Sequence, residues 1–268
     1  MLNYRQAPPP PALQGVVARF SQRRCVDAQH HIPAFGLPAR LDRFIEFYLG
    51  EPVRVAVDAQ APVAAPDIVL VAPHTRPGKR LHLVGDVDTF TVHFEPTGLH
   101  RLFGLSLQSL DNLAVPANQL VGPGVLELRD RLARAHGFEA RVQAASGWLL
   151  ERLASSRPAD ALDRAVAAWR LEDGVAPVAT WACRLGWSER HLHRRFLERT
   201  GLSPALHGRL LRFQALMAAH ARAPQAALTT LALEAGYFDQ SHCIRDCRAF
   251  TGEAPRAFLS QWPDLGRA

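Results

Sequence analysis

An internal repeat in the last third of the sequence is the feature that most restricts the fold. The stretches GWSERHLHRRFLERTG (186–201) and GYFDQSHCIRDCRAFTG (236–252) share one order of residue types, once one extra residue is allowed in the second. Both close with Thr-Gly and a proline three residues later, and both follow a short apolar segment that ends in glycine plus an aromatic residue. A helix, a glycine-containing turn and a second helix, present twice, predict two helix-turn-helix units.

The sequence between the two copies predicts a rigid connector. PALHGRLLRFQALMAAHAR (204–222) has helical spacing. Its apolar stripe comprises Leu206, Leu210, Phe213 and Met217. From Pro177 to Trp262 the pattern is helix and tight turn throughout, so we expect an all-α C-terminal domain with two helix-turn-helix motifs joined by a linker helix.

Two cysteines in the second copy raise the question of a metal or redox site. Cys243 and Cys247 occupy the positions of Leu192 and Phe196 in the first copy, and with Phe250 they form an i, i+4, i+7 stripe. Because a buried free cysteine behaves as a small hydrophobe, we interpret them as core residues. A metal or redox pair is the alternative, since a spacing of four on a helix can bring two sulfurs together, but no second ligand pair lies nearby in the sequence. We expect no metal site and no cofactor.

The polar faces of the second helices carry groups that suit nucleic acid. The candidate contacts are Arg190, His193 and Arg194 in the first copy, and Gln240, Ser241, His242 and Arg245 in the second. Arginine can donate two hydrogen bonds to guanine, glutamine can pair with adenine, and serine and histidine can reach bases or phosphates. Residues 177–262 hold 11 arginines against 6 acidic residues, so nearly all of the chain's net charge of +6 lies here. A solvated charged face is the alternative, but two matching helices with concentrated positive charge favour DNA binding.

These motifs resemble the DNA-binding domain of AraC/XylS-family transcription regulators. LGWSERHLHRRFLERTGLSP is similar to the family's first motif, and LALEAGYFDQSHCIRDCRAFTGEAP to its signature of glycine-aromatic, Ser-His, Arg and a closing Gly-x-x-Pro. The sequence departs from the family at Cys243 and Cys247, where aromatic or bulkier apolar residues are usual. The resemblance implies that two recognition helices enter successive major-groove segments on one face of double-stranded DNA, with the candidate contacts at base- or backbone-facing positions.

The first two thirds of the chain predict strands followed by helices. Strand patterns occur in RFIEFYL (43–49), PVRVAV (52–57), DIVLVA (67–72), KRLHLV (79–84) and DTFTVHF (88–94). Helical spacing follows near 97–104, 123–135, 138–154 and 160–172, the last with Asp160 as the N-cap. This strand-then-helix order is similar to the sensor domains attached to many such regulators. The segments 4–20 and 92–104 resemble pieces of an uncharacterised N-terminal domain often joined to this module, which implies no particular ligand.

Length and composition fit an α+β protein of two domains. The chain has 268 residues, and Gly174 and Pro177 mark a domain boundary. We expect residues 1–173 to form an N-terminal β-rich domain with trailing helices, for effector binding or dimerisation. We expect residues 174–268 to form an AraC-type DNA-binding domain. The 4 cysteines are too few and too scattered for a secreted disulfide framework. The N-terminus lacks the order of a signal peptide, and no apolar run reaches the length of a membrane span. We therefore expect a cytoplasmic protein.

The sequence predicts a sequence-specific DNA-binding transcription regulator that responds to a small-molecule effector and is not an enzyme. The expected partners are double-stranded DNA, the effector, RNA polymerase and a second copy in a homodimer. One alternative is a metal-dependent β-sandwich enzyme fused to a DNA-binding module, with His74, His82 and His93 as candidate ligands. Nothing in the sequence fixes the convergence of these histidines, and isolated histidines are the simpler interpretation. A second alternative is an architectural DNA-binding protein without a ligand.

Overall fold

Two antiparallel sheets and a succession of helices make up the residues that the computed structural model describes, 2–171 and 176–261. The strands are β1 (Asn3–Ala7), β2 (Val17–Cys25), β3 (Phe35–Leu37), β4 (Phe44–Tyr48), β5 (Arg54–Val57), β6 (Val63–Ala64), β7 (Ile68–Val71), β8 (Lys79–His82), β9 (Val87–Phe94) and β10 (Ala114–Pro116). The helices of the N-terminal part are a 3₁₀ turn (Pro11–Leu13), α1 (Ala28–His31), α2 (Gly98–Phe103), α3 (Asn118–Val121), α4 (Gly124–Arg134), α5 (Phe138–Ala154) and α6 (Ala161–Leu171). The helices of the C-terminal part are α7 (Val178–Leu185), α8 (Glu189–Thr200), α9 (Pro204–Arg222), α10 (Leu228–Glu234), α11 (Gln240–Thr251) and α12 (Pro255–Gln261). The predicted α+β fold, β-rich first and all-α last, is confirmed.

The sheets are antiparallel throughout. One has the order β1-β2-β9-β4-β7-β10 and the other the order β3-β8-β5-β6. All five predicted strands are present, each within two residues of its predicted ends. β1 and β2 were not predicted as strands, although β2 pairs with β9 at the centre of the larger sheet.

The N-terminal core lies on one face of the six-stranded sheet. Phe20 and Phe90 of that sheet are fully buried against side chains of the helices, which include Leu99, Leu128 and Trp148. Full burial of such side chains stabilises the fold by about 1.5–3 kcal/mol each. The opposite face of the same sheet is directed toward the smaller sheet and encloses a cavity.

The C-terminal helices repeat the same turn twice. Trp187 donates its backbone N–H to Ala182 at 2.9 Å, and Tyr237 donates to Ala232 at 3.0 Å. The glycine before each aromatic residue has a left-handed φ, 66° at Gly186 and 79° at Gly236, a conformation that costs glycine little. These matching turns confirm the two predicted helix-turn-helix units. α7 and α8 form the first unit, and α10 and α11 form the second.

The ends of α8 and α11, the second helices of the two units and here called the recognition helices, also match. The side chain of Ser188 accepts a hydrogen bond from the His191 N–H at 3.2 Å, and that of Asp239 accepts one from the His242 N–H at 2.6 Å, so each caps its helix. At the other end, Thr200 and Thr251 each donate a hydroxyl hydrogen bond of 2.8 Å to the carbonyl four residues earlier. The extra residue of the second copy is Phe238, which lies in the turn and is 88% exposed.

The interpretation of the two cysteines as core residues is confirmed. Cys243 and Cys247 are fully buried in the core of the C-terminal helices, beside Phe250. The predicted stripe of the linker helix α9 contributes Leu210 and Phe213 to this core. Both cysteines are free thiols.

α6 packs against the first helix-turn-helix unit rather than against the sheets. Trp169 of α6 stacks on Trp181 of α7, with ring centroids 5.7 Å apart, and lies edge-on to Phe196 of α8 at 5.6 Å. Asp160 caps α6 as predicted, since its side chain accepts hydrogen bonds from the Leu162 and Asp163 N–H groups. The expected domain boundary at 173/174 lies outside the described residues.

An extended segment, residues 38–43, joins the two parts of the molecule. Ala39 and Leu41 are buried in the core of the C-terminal helices, and the Ala39 N–H donates to the Phe250 carbonyl of α11 at 2.9 Å. Arg43 is buried and donates to the Thr200 carbonyl at the end of α8 at 3.4 Å. The segment therefore contacts both recognition helices at their C-terminal ends.

None of the described helices combines the length and the apolar character that crossing a lipid bilayer requires.

Candidate nucleic-acid interface and internal cavity

The predicted contact residues lie at the surface of α8 and α11. Arg190, His193 and Arg194 are exposed on α8. On α11, Gln240, Ser241 and Arg245 are exposed. His242 is half-buried, because its ring packs edge-on against Tyr237 with centroids 5.1 Å apart. The predicted residues thus form two sets, one on each recognition helix.

Three of the arginines in these sets are free to contact a ligand outside the protein. Within residues 2–171 and 176–261, no ion pair involves Arg190, Arg194 or Arg245. Two other arginines of α8 differ: Arg195 pairs with Glu198 on the same helix at 2.7 Å, and Arg199 is buried and pairs with Asp160. The three predicted arginines are therefore exposed and available to a partner.

Asp246, the neighbour of Arg245, is directed inward. It is buried and accepts hydrogen bonds from Arg209 of α9, at 3.0 Å from Nε and 2.8 Å from Nη2. Asp239 is occupied as the cap of α11. Because Arg209 holds α11 against α9, this ion pair fixes the orientation of the second recognition helix relative to the linker.

A cavity of about 1070 Å³ lies between the two sheets and is bounded on one side by α9. The smaller sheet and the loops beside it supply an apolar wall. This wall comprises Val53, Val55, Val57, Val63, Leu81 and Leu83. α9 contributes Gln214, Met217, Ala218, His220 and Ala221, and the loop after α9 contributes Pro224. The cavity wall is thus shared by the β-rich part and the helix that joins the two helix-turn-helix units.

The larger sheet gives the cavity a polar wall. Glu46 lies at its centre and accepts hydrogen bonds from the Tyr48 hydroxyl at 2.9 Å, the Thr91 hydroxyl at 3.1 Å and Arg23 at 3.3 Å. Burial and the neighbouring Glu46 carboxylate raise the pKa of Tyr48, so its hydroxyl keeps its proton. The cavity therefore combines an apolar wall with a wall that carries hydrogen-bonding groups, as small-molecule sites in proteins do.

Two histidines of this wall have unused nitrogens. His93 shares a 2.9 Å hydrogen bond between its Nε2 and Ser21 Oγ, while its Nδ1 has no partner within the described residues. His74 is 3% exposed and Asn112 lies beside its ring, yet neither ring nitrogen has a partner with hydrogen-bond geometry in that part of the chain. Burial lowers the pKa of each to about 3, so both rings are neutral at pH 7.

The three histidines proposed as metal ligands do not converge. His74 and His93 line the cavity, but His82 is not among its lining residues. In the described ranges, no three histidine, cysteine, aspartate or glutamate side chains are grouped so that they could hold a metal ion. Isolated histidines are the interpretation that the geometry favours.

Comparison with known proteins assigns the C-terminal region. Residues 181–261 match the family model described as a helix-turn-helix domain, so this region is a helix-turn-helix domain. This domain is of the AraC type, which confirms the resemblance seen in the sequence. No curated protein matches the chain.

One solved structure shows a similar two-part fold, and two others match at lower TM-scores. The crystal structure of an apo ToxT variant from Vibrio cholerae strain SCE256 is similar with a TM-score of 0.50 and 12% identity, over 90% of this chain and 97% of that one. ToxT from Vibrio cholerae O395 has a TM-score of 0.49 and 11% identity, over 99% and 98% of the two chains. The AraC-like transcriptional activator CuxR has a TM-score of 0.26 and 15% identity, over 82% and 78%. The first of these likenesses spans both the β-rich part and the helices.

Sequence reasoning did not identify the cavity residues. The polar wall of the cavity comes from β2, β4 and β9, which are far apart in the chain. A signal was present in β9, where Thr89, Thr91 and His93 alternate with Phe90, Val92 and Phe94. In a strand with one face in the apolar core, such alternation predicts a polar surface on the other face.

Proposed function

We propose that this protein is a transcription regulator that binds a specific DNA sequence through α8 and α11, and that a small molecule in the internal cavity changes this binding. The DNA contacts proposed are Arg190, His193, Arg194, Gln240, Ser241, His242 and Arg245. One observation carries the proposal: α9 is part of the cavity wall and also the connector of the two helix-turn-helix units. A ligand that contacts α9 therefore touches the helix that sets the relative position of both recognition helices.

The electrostatic layout supports DNA as the partner. The cations Arg190, Arg194 and Arg245 are exposed near the starts or middles of capped helices, where recognition helices present their base-contacting residues. The two units are held by one linker helix, and we propose that they address sites about one DNA turn, ~34 Å, apart. We place its action in the cytoplasm, as a homodimer that contacts RNA polymerase, and we assign it no catalytic activity.

The DNA-binding half of the proposal is tested with selected DNA. Operator sequences are selected from a random library with purified full-length protein, and affinity is measured by fluorescence anisotropy at several salt concentrations. A sequence-specific regulator prefers its selected site over random DNA by about 10³-fold or more. Equal affinity for all sequences would support the architectural alternative instead.

The response half is tested with a cavity variant. Val55→Trp fills part of the cavity from its apolar wall, away from α8 and α11. We expect Val55→Trp to keep the operator affinity of the ligand-free protein and to lose the change in affinity that an effector causes. Small molecules that stabilise wild type, but not Val55→Trp, against heating are the candidates to add. If none of these changes the operator affinity of wild type, the response proposal is wrong.

A further inference from the structure

A cluster of cations occupies the end of the cavity next to the 38–43 segment. Arg40 and Lys79 both line the cavity, with His74 as their neighbour. Arg40 and His74 are held side by side by two backbone hydrogen bonds of 2.6 Å and 2.9 Å. Lys79 donates to the Asn112 carbonyl, which satisfies one of its three N–H groups. The cluster is therefore built from fixed backbone positions rather than from mobile surface side chains.

These cations lack the carboxylate partners that the other cavity arginines have. Arg19 lies 3.7 Å from Asp42, and Arg23 lies 3.3 Å from Glu46. In the part of the chain that the structure describes, no acidic side chain is within salt-bridge distance of Arg40 or Lys79. The Arg40 Nε and both His74 nitrogens are buried without a hydrogen-bond partner in the same ranges. Buried donors without partners are costly, so the Arg40 Nε–H and the one protonated nitrogen of the neutral His74 ring require an acceptor. The two unpaired cations favour an acceptor that carries negative charge.

The charge state of the cluster supports an anion. Burial lowers the pKa of Arg40 and of Lys79. At Lys79 the positive charges of Arg40 and Arg76 add to this shift. At Arg40 the carboxylates of Asp42 and Glu46 oppose it, whereas Arg23 adds to it. Asp42 stays ionised, because Arg40 and Arg19 lower its pKa although burial opposes this. Its carboxylate lies 3.7 Å from Arg19 and also acts on Arg40, so an added anion meets Arg40, Lys79 and a neutral imidazole against the opposing charge of Asp42.

We propose that the cavity binds a small organic anion, whose charged group is held by Arg40, His74 and Lys79 and whose apolar body lies against the valine and leucine wall. This inference rests on the proposed function and names the chemical class of its effector. A carboxylate and a phosphate monoester both provide the required acceptor oxygens.

The anion site is also placed to affect the recognition helices. Arg40 and Asp42 line the cavity, Leu41 lies in the core of the C-terminal helices, and Ala39 belongs to both, since it lines the cavity and packs in that core. The Ala39 N–H binds the carbonyl of Phe250 near the end of α11. A ligand that moves Arg40 by bonding to it therefore displaces the backbone that holds α11.

The test is a head-group series on one apolar body. Octanoate, octyl phosphate, octanamide and octylamine are titrated into the full-length protein by isothermal titration calorimetry. We expect octanoate or octyl phosphate to bind at least about tenfold more tightly than octanamide, with octylamine weakest, because a charge-assisted hydrogen bond is worth more than a neutral one. The better of the two anions identifies the head group.

Variants assign the preference to the cluster. Lys79→Met is expected to reduce the preference for the anion over octanamide by about tenfold, and Lys79→Arg to retain it. Arg54→Gln is the control variant. It removes an exposed cation that lies outside the cavity, on the same four-stranded sheet as Lys79, and is expected to leave the preference unchanged. Arg40→Gln gives a second route if Lys79→Met does not fold, as judged by circular dichroism. The inference is overturned if neither octanoate nor octyl phosphate binds folded wild type more tightly than octanamide, if octylamine binds more tightly than both anions, or if no octyl compound binds.

Operator affinity separates this inference from the proposed function. A neutral effector that changes operator affinity would leave the regulator standing and overturn the anion site. An anion that binds through Lys79 without changing operator affinity would support the site and overturn the proposed response.

Discussion

At the scale of single residues, two of the proposed DNA contacts, Arg194 and Arg245, have similar environments. Arg194 and Arg245 are both exposed and unpaired within the described ranges, and Asp246 is bound to Arg209 instead of Arg245. We therefore expect Arg194→Ala and Arg245→Ala each to cost about 1–3 kcal/mol of operator binding and to relax the preference at one base position. Anisotropy titrations against an operator-mutant panel at several salt concentrations measure both effects.

Arg248→Ala is the matched control for Arg245→Ala, because Arg248 is exposed on the same helix but in its last turn. We expect it to leave base preference unchanged. If Arg194→Ala and Arg245→Ala weaken binding to all sequences alike and lower the salt slope by about one, the two arginines contact phosphates only. Wild-type binding in both would refute the assignment of these helices.

The cysteines differ in accessibility. Cys183 is exposed, while Cys25, Cys243 and Cys247 are buried, and the hydrogen bond with Cys243 together with burial raises the pKa of the Cys247 thiol. We expect one of the four thiols to react rapidly with a chromogenic disulfide reagent in native buffer and the other three to react only on unfolding. Any rapidly reacting thiol in the Cys183→Ser variant would contradict the burial of the other three.

His207 is expected to make stability depend on pH. It is fully buried between Trp169 and Phe196, and burial lowers its pKa to about 3. The folded protein therefore keeps His207 neutral where the unfolded chain binds a proton, so below pH ~6.5 the free energy of unfolding falls by about 1.4 kcal/mol per pH unit from this group. Above pH ~6.5 the contribution is constant.

Urea unfolding at pH 5, 6 and 7 tests this dependence. His207→Phe and His207→Leu both remove the titrating group, so both are expected to reduce the slope between pH 5 and 6, whatever their packing costs. An unchanged slope in both variants would show that His207 is not the group responsible.

At the scale of elements, α6 behaves as the first helix of the DNA-binding part. The Trp169 side chain is 2% exposed and fills the core between α7 and α8. We expect a fragment of residues 157–268 to fold as a helical unit, to bind DNA and to melt at a higher temperature than a fragment of residues 176–268. Circular dichroism melts compare them, and equal melting temperatures would contradict the role of α6. The shorter fragment lacks Trp169, and loss of a large aromatic side chain from a core typically lowers the free energy of unfolding by about 3–5 kcal/mol.

The elements also show how far the sequence could predict the fold and the site. The strands β4, β5, β7, β8 and β9 and the double helix-turn-helix were predictable, because each has a local pattern with one apolar period. β2 has polar residues on both faces: Arg19, Ser21 and Arg23 on one side and Gln22 on the other. Its stability as a strand comes from pairing with β1 and β9, which no local pattern contains. α8 and α11 were likewise predictable from one short stretch each, whereas the cavity is lined by residues that range from Leu2 to Pro224 in the sequence.

At the scale of the whole molecule, the 38–43 segment joins the cavity to the helices. Leu41 is 7% exposed, and Leu41→Ala shortens its contact with the C-terminal core. We expect this variant to lower the free energy of unfolding by about 2–5 kcal/mol and to weaken the effect of an effector on operator affinity. Ligand binding itself is expected to remain, since Leu41 is not among the residues that line the cavity. An unchanged effector response would show that coupling runs through α9 alone.

The shared position of α9 imposes a reciprocity. If a ligand in the cavity changes the affinity for DNA by some factor, DNA must change the affinity for the ligand by the same factor. A protein bound to a strong operator and one free in solution then differ in the ligand concentration at which each is half saturated. The sensitivity of the response is therefore a property of the protein and its operator together, and two promoters with different operators can answer the same signal at different concentrations.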